Sequence, residues 1–350
     1  MIIRVGNKEL GTGKPCFMVA EIGINHNGSM ELAREMIDAA AASGADAVKF
    51  QNYRTEDFIL DSTLTYSYES QGKKVTESQF DIFKRCELTV DQLVMLSEHC
   101  AKRNVVFFST PTSKQGIDDL LRAKSPIIKN GSDYLVNIPL IEDMARTGLP
   151  VVISTGMATL GEIDDAVRAF EGAGGRQLII LHCTSSYPTP DADINLRKIK
   201  ALQEAFSYPV GFSDHTWGVE AGIAAVVLGA CFIEKHFTID RNLPGPDHRF
   251  SSDPLEFTQL VRSVRKIEKA LGTSKVGPTP SEENGRKDFR LSCGIARSIK
   301  QGHQLTMADI AFIRPGTGVP PKWVHALLGK SLRRDMEKGE LLNFSDLDAQ

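Results

Sequence analysis

Apolar residues in the first 240 or so positions gather into eight short runs, each closed by polar or charged residues. The run at 16–20 closes on Glu21, and the run at 46–50 carries Lys49 and leads into Gln51. FFST closes on Ser109 and Thr110, PIIKNGS carries Lys129 and Ser132, and VVISTG closes on Ser154 and Thr155. LIILHCTSSYP carries His182, Thr184, Ser185 and Tyr187, PVGFSDH carries Ser213 and His215, and CFIEKH carries Glu234 and His236. Runs of this length read as buried strands, and between most of them the apolar spacing changes to the helical period. Residues 30–43 place Leu32, Met36, Ile37 and Ala40 on one face and stop before Gly44. Residues 89–103 begin on Thr89 as N-cap and align Leu93, Leu96 and Cys100. Similar patterns cover 113–123, 139–147, 160–172, 194–206, 218–229 and 254–271. Eight strands alternating with helices predict an α/β fold, a (β/α)8 TIM barrel, whose active site lies where the strands end. Polar residues at every strand end then contribute to one pocket.

Two stretches depart from this alternation. Residues 53–86 are long, polar and aromatic (Tyr53, Tyr66, Tyr68, Phe80, Phe83) and follow the second strand at the active-site face. A long loop there serves as a lid or binding loop, the alternative being a surface excursion. The barrel is expected to span 1–271, and the Gly-, Pro-, Ser- and charge-rich stretch 272–290 reads as a linker. In the remaining 291–350, IKQGHQLTMADI (299–310) repeats as MEKGELLNFSDL (336–347) at a constant offset of 37, pairing Gly302 with Gly339, Leu305 with Leu342 and Asp309 with Asp346. Each copy reads as a strand, a tight turn and a short element started by Thr306 or Asn343. Such a pseudo-symmetric domain is too small for an enzyme of its own. It is expected to bind, to dimerise or to donate a residue to the barrel.

A formal net charge of −3 carries no basic signal for nucleic acid or an acidic membrane. No stretch approaches the roughly 20 apolar residues of a membrane span, and MIIRVGNKEL lacks the apolar core of a signal peptide. The six cysteines form no CxxC, and several lie inside apolar runs. They read as buried free thiols of a reducing, cytoplasmic setting rather than zinc ligands or disulfides.

The strand ends hold the candidate chemistry. His215 and His236 close consecutive strands, 21 residues apart. Neighbouring strands lie about 4.8 Å apart, so the two imidazoles can reach one divalent ion and leave positions open for substrate or water. The alternative is two hydrogen-bonded supporting histidines. Lys49 and Lys129 each end an apolar strand, and a buried ammonium there calls for an anion. With the hydroxyls of Thr110, Ser132, Ser154 and Ser185 they form a cradle for a phosphate or carboxylate. A Schiff-base lysine is the competing reading. Glu21, Glu234 and Asp247 are the candidate acidic groups, with Glu21 able to orient a hydroxyl, hold a water or act as a base, or to serve only as a structural partner of a barrel lysine. His26 and His182 read as structural.

AEIGINHNG (20–28), VKFQ (48–51), STP (109–111), STGMAT (154–159), LHCTSSYPTP (181–190), GFSDHT (211–216), EKHFT (234–238) and GPDH (245–248) resemble, in order, the N-acetylneuraminate (sialic acid) synthase family. IARSI (295–299) and IRPGTG (313–318) resemble the antifreeze-like (SAF) domain appended to those enzymes. The resemblance implies condensation of phosphoenolpyruvate with an N-acetylhexosamine to a nine-carbon 2-keto acid, with release of phosphate by C–O cleavage. It implies Mn²⁺ or Mg²⁺ on His215 and His236. Lys49, Lys129, Thr110, Ser132, Ser154, Ser185 and Ser213 would then grip phosphate and carboxylate. Glu21, Gln51, Tyr187, Asp247 and the Phe289 backbone would contact the sugar or organise water. A homodimer is implied in which Arg314 of one chain binds the N-acyl group in the other chain's site. The sequence departs from the family at Asn130 and Asp133, where KIGSGE is usual, and at Ser185, where bacterial sialic acid synthases carry Asn. CTS and GPDH resemble legionaminate-type relatives, so the acceptor stands open among N-acetylmannosamine, its 6-phosphate and 2,4-diacetamido-6-deoxyhexoses. Another phosphoenolpyruvate-using aldol synthase, a Schiff-base aldolase and a non-catalytic sugar-binding protein are the alternatives.

Overall fold

Strands β1 (Ile2–Val5) and β2 (Lys8–Gly11) pair as an antiparallel hairpin. Its Ile3, Val5 and Leu10 are fully buried and pack with Phe17, Val19, Phe108, Leu181 and Phe232 of the strands that follow. The hairpin is thus an apolar plug at the start of those strands, which leaves their other ends for polar chemistry. The computed structural model describes residues 1–348 and divides the chain into two units, Met1–Gly272 and a second beginning at Thr273.

In the first unit the eight apolar runs are eight parallel strands: β3 (Phe17–Gly23), β4 (Ala47–Asn52), then, after a hairpin of β5 (Thr65–Ser70) and β6 (Lys73–Ser78), β7 (Val106–Pro111), β8 (Ile128–Asn130), β9 (Val151–Ser154), β10 (Leu178–Cys183), β11 (Val210–Asp214) and β12 (Phe232–His236). Their hydrogen-bonded order is β7-β4-β3-β12-β11-β10-β9-β8, and the two end strands lie side by side, so the sheet curls into a nearly closed barrel.

The helices are α1 (Met30–Ala42), α2 (Gln79–Arg85), α3 (Val90–Lys102), α4 (Lys114–Arg122), α5 (Ile138–Arg146), α6 (Leu160–Gly172), α7 (Lys198–Ala205), α8 (Glu220–Val227) and α9 (Pro254–Leu271), and all but α2, which lies in the 53–86 segment, fall close to where the apolar spacing puts them. In α3 the Thr89 hydroxyl accepts from the Gln92 amide while the Gln92 side chain accepts from the Thr89 amide, and Leu93, Leu96 and Cys100 are buried. Those reciprocal bonds satisfy two donors that a bare helix start would leave free. The helices' apolar faces cover the outside of the strands in the largest core cluster.

Residues 53–86 are more ordered than a loop. They hold the β5–β6 hairpin, turned at Gln71 and Gly72 (φ 51° and 72°), and helix α2. Two successive positive φ values suit a two-residue hairpin turn. Tyr53, Phe58 and Phe83 pack edge to face, with centroids 5.2–5.4 Å apart.

In the second unit the stretch expected as a linker carries a turn of 3-10 helix (Pro280–Glu282) and helix α10 (Glu283–Asp288). Beyond it β13 (Ser292–Ile295) pairs antiparallel with β14 (Ile310–Ile313). The internal repeat is structural. Gly302 and Gly339 turn at φ 84° and 90°, and Asp309 and Asp346 accept from the Thr306 and Asn343 amides at 3.0 and 2.9 Å. Ile299 and Met336 bridge the two copies.

Candidate active site

Side chains alternate inward and outward along a strand, so residues two apart share the barrel interior. Ser213 with His215, Glu234 with His236, and Lys49 with Gln51 therefore face one space. That space is a cavity of about 710 Å³. Fourteen of the sequence-predicted residues line it: Glu21, Lys49, Gln51, Thr110, Lys129, Ser132, Ser154, Ser185, Tyr187, Ser213, His215, Glu234, His236 and Asp247. Phe289 and Arg314 belong to the second unit, where the Arg314 guanidinium stands 5.5 Å over the Phe289 ring. His182 donates to or accepts no cavity group; its Nε2 is 2.6 Å from the Ile194 carbonyl, and His26 accepts from the Gly28 amide through Nδ1.

The lysines have carboxylate partners within the chain. Lys49 Nζ is 2.8 Å from Glu21 and 3.6 Å from Glu234, and donates to Thr110 at 3.1 Å. Lys129 Nζ donates to Glu234 Oε1 at 3.1 Å. The anion that a buried ammonium calls for is thus partly internal, which a single strand's sequence does not reveal. Burial opposes the charge on both carboxylates, but their surroundings pull them apart. Glu21 is raised to about 7 by burial and by Glu234, against the pull of Lys49. Glu234 is desolvated as well, yet Lys129 and Lys49 hold it below the usual range. Lys49 stays an ammonium: Glu21 and Glu234 outweigh its burial and raise its pKa.

Small groups complete the cradle. The Gly156 amide donates to Ser132 Oγ at 3.1 Å, and a Cβ on Gly156 would come within 2.2 Å of Ser185 Oγ. The close approach of the Ser185 and Ser132 hydroxyl oxygens leaves no room for a side chain at this position. Ser154 Oγ and Glu234 Oε2 are buried without a hydrogen-bond partner. Polar atoms left this way in a folded protein point to a ligand or ordered water. Asp133, at one of the departures from the family pattern, lines the same cavity with its carboxyl raised by burial.

The two histidines sit in different surroundings. His215 Nδ1 lies 2.8 Å from the Thr184 carbonyl, which only accepts, so Nδ1 carries a proton; burial opposes charge on the ring, but Cys183, the Thr184 carbonyl and Glu234 outweigh it and raise its pKa, and Nε2 faces Ser213 Oγ at 3.4 Å. Burial, His215 and the nearby lysines keep His236 well below the usual pKa, hence neutral, and its Nδ1 has no hydrogen-bond partner. The ring centroids are 5.5 Å apart. Among the described residues no cluster of three or more His, Cys, Asp or Glu side chains is disposed to hold a metal, so a cation on this pair would keep most of its coordination sphere for substrate and water. Asp247, raised to about 6 by burial, stands 3.8 Å from His236 Nδ1.

Three groups at the site carry no label in the sequence reading. Cys183 Sγ lies 3.9 Å from His215 Nδ1 and 3.6 Å from Ser132 Oγ. Phe250 packs on His236 and Tyr187, with centroids at 5.0 and 5.3 Å, and Tyr187 in turn covers His215 at 4.2 Å. Lys235 and Asp214, on the opposite face of β12 and β11, form a buried ion pair at 2.9 Å. Each of these two sits between inward-facing residues of an apolar strand, which is the signal that marks them.

A barrel with one polar cavity at its strand ends and a small appended domain is an enzyme architecture. The chain belongs to the NeuB family, whose model matches residues 36–276, and carries a SAF domain over residues 295–348. It is 37% identical to N,N'-diacetyllegionaminic acid synthase of Legionella pneumophila, over 98% of both chains. It is 32% identical to human N-acetylneuraminate-9-phosphate synthase, over 95% of this chain and 93% of the other. Among solved structures it resembles the N-acetylneuraminic acid synthetase of Leptospira borgpetersenii, with a TM-score of 0.74 and 36% identity over 81% of this chain and 95% of that one.

Proposed function

We propose that the protein condenses phosphoenolpyruvate with an N-acetylhexosamine, N-acetylmannosamine or a related 2,4-diacetamido-6-deoxyhexose, giving a nine-carbon 2-keto acid and phosphate. The observation that carries this reading is the sharing of one cavity by a two-lysine, multi-hydroxyl cradle and two adjacent histidines, of which His236 is held neutral. Named synthases among the relatives support it. Carbon 3 of phosphoenolpyruvate bonds to the aldehyde carbon, and the aldehyde oxygen takes a proton. Water adds at carbon 2, and the bond from carbon 2 to the bridging oxygen breaks to free phosphate. Lys49, Lys129, Thr110, Ser132, Ser154, Ser185 and Ser213 hold the anionic groups. Glu21, with a pKa near 7, can give or take a proton at neutral pH, while Glu234 stays ionised. Two carboxylates pushed apart in this way divide proton transfer from charge compensation. Gln51, Tyr187 and Asp247 face the acceptor. Mn²⁺ or Mg²⁺ bound by His215 and His236 would supply Lewis-acid polarisation of the aldehyde oxygen.

The ammonium form of Lys49 favours anion binding over a Schiff-base mechanism, which needs a free amine. Phosphate release should require both phosphoenolpyruvate and an N-acetylated hexose, and EDTA should stop it until Mn²⁺ is returned. His215→Ala and His236→Ala should each cost about 10³-fold or more in turnover while the circular dichroism spectrum is kept. Lysine labelling by borohydride with substrate, or full turnover in chelator, would contradict the mechanism. The active unit is read as a homodimer with Arg314 donated in trans. Mixing Arg314→Ala with His236→Ala chains under subunit exchange should restore activity, and no recovery at any ratio means donation in cis.

A further inference from the structure

We infer that a second cavity, outside the barrel, binds a phosphate group that carries a hydroxyl: hydrogen phosphate itself or the phosphate ester of a small hydroxylated molecule. The cavity holds about 290 Å³, and the starts of α3 (Thr89, Val90) and α4 (Ser113, Gln115) both line it. Side chains alternate along β4, so Asn52 points away from the interior that Gln51 faces, and it lines this second cavity. Asn52 is 2% exposed. Its Nδ2 donates to the Gly116 carbonyl at 2.9 Å, while Oδ1 is buried with no hydrogen-bond partner. A buried acceptor left free calls for a donor.

The rest of the lining calls for an anion. The first amides of a helix have no carbonyl of their own helix to meet, and two helix starts bring the positive ends of two dipoles to one space. Two acids share the lining, and both are taken. Glu87 accepts from Lys84 at 2.8 Å and from the Thr55 amide, and Asp119 accepts from Gln115 at 3.0 Å. Arg54 and Arg122 also line the cavity, and among the described residues neither forms an ion pair. A carboxylate or a sulfate meets amides and guanidinium groups but only accepts, which leaves Asn52 Oδ1 unpaired. A neutral polyol meets Asn52 and leaves the arginines without a counter-ion. A phosphate with a hydroxyl serves both. Tyr53 borders this cavity and the strand-end cavity alike, and Arg54 and Glu87 stand at the two ends of the 53–86 segment, so the ligand sits at the base of that segment. The site goes beyond the synthase reading and does not depend on it.

The test is equilibrium dialysis of the full chain against radiolabelled inorganic phosphate, which should find this site in addition to the strand-end cradle. Arg54 and Arg122 are exposed, so the double variant Arg54→Ala, Arg122→Ala should fold. It should weaken one class of bound phosphate about ten- to hundredfold and spare the class that Lys49→Ala with Lys129→Ala removes. Sulfate should compete about tenfold more weakly than unlabelled phosphate at the arginine site, and Asn52→Leu should abolish that preference. Glycerol 3-phosphate displacing the label at a lower concentration than inorganic phosphate identifies an ester as the ligand, and the reverse identifies the free ion; either sustains the site. Phosphate binding that the arginine variant leaves unchanged overturns the inference, as does sulfate competing at the arginine site as well as phosphate, and both are read without the Asn52 variant. Absence of the cradle class alone weakens the synthase reading and leaves this site standing.

Discussion

Lys235 and Asp214 form one buried ionic group on β11 and β12; Lys49, Lys129, Glu21 and Glu234 form another on the inner face of the same barrel. The outer group is complete. Lys235 Nζ donates to Asp214 Oδ2 at 2.9 Å and to the Thr216 carbonyl at 2.8 Å, and Asp214 Oδ1 accepts from the Thr216 amide and hydroxyl at 2.9 and 2.7 Å. The inner group is not. Glu234 Oε1 gathers Lys129 and Ser213 at 3.1 and 3.3 Å, while Oε2 has no hydrogen-bond partner. A fully satisfied buried network fixes structure, and a partly satisfied one keeps capacity for something else. The outer pair fixes the register at which His215 and His236 stand side by side, since Asp214 and Lys235 are direct strand partners. The inner group keeps acceptors and donors for a ligand.

The largest expected effect breaks the outer group. Lys235→Met leaves Asp214 buried without its cation and should cost about 3–5 kcal/mol of stability, read as a lower denaturation midpoint. Pairing it with Asp214→Leu should recover most of that loss, because both charges are then gone. A double variant as unstable as the single one would mean that the pair is not what holds the strands.

Glu21→Gln sharpens the contrast from the inner side. Glu21 titrates at about 7 in the folded chain against an ordinary 4.5. Between those values the folded chain keeps a proton that the unfolded chain has released. Stability therefore falls as pH rises from about 4.5 to about 7, by up to ~3 kcal/mol, and is level above. Glu21→Gln should abolish that slope in denaturation curves between pH 4.5 and pH 7.5. It should also remove an inflection near pH 7 from the profile of kcat/KM. A smaller effect, about 1.5–3 kcal/mol each, is expected of Lys49→Ala and Lys129→Ala, seen as a ten- to hundredfold rise in the KM for phosphoenolpyruvate. If neither shifts that KM, the inner lysines are structural like Lys235.

The contrast also marks what a one-dimensional reading could reach. Eight strands and their polar ends were legible because each barrel strand is a short buried run with its chemistry at one end. The inward set at Ser213, His215, Glu234 and His236 followed from period two. The partnership of each lysine was not legible, because Lys129 meets Glu234 across 105 positions. The β5–β6 hairpin was missed for a different reason. Its residues are mostly exposed and polar or aromatic, with little buried alternation to show a strand. The Gln71-Gly72 turn is the trace it leaves. In the second unit the repeat was visible because its turn glycines and capping aspartates are local features.

The barrel wall, finally, behaves as a split ring. The strand ladder runs unbroken from β7 round to β8 and leaves a seam between those two. Thr110 closes β7 and Lys129 lies on β8, so two cradle groups stand on the lips of the seam, while His215 and His236 follow from strands laddered on both sides. Spreading the lips breaks no ladder, whereas parting the histidines does. The Thr110–Lys129 side of the proposed anion grip is thus the compliant dimension of the site and the histidine spacing the stiff one. Amide exchange along β7 and β8 should slow on adding inorganic phosphate, and by more than along β11 and β12.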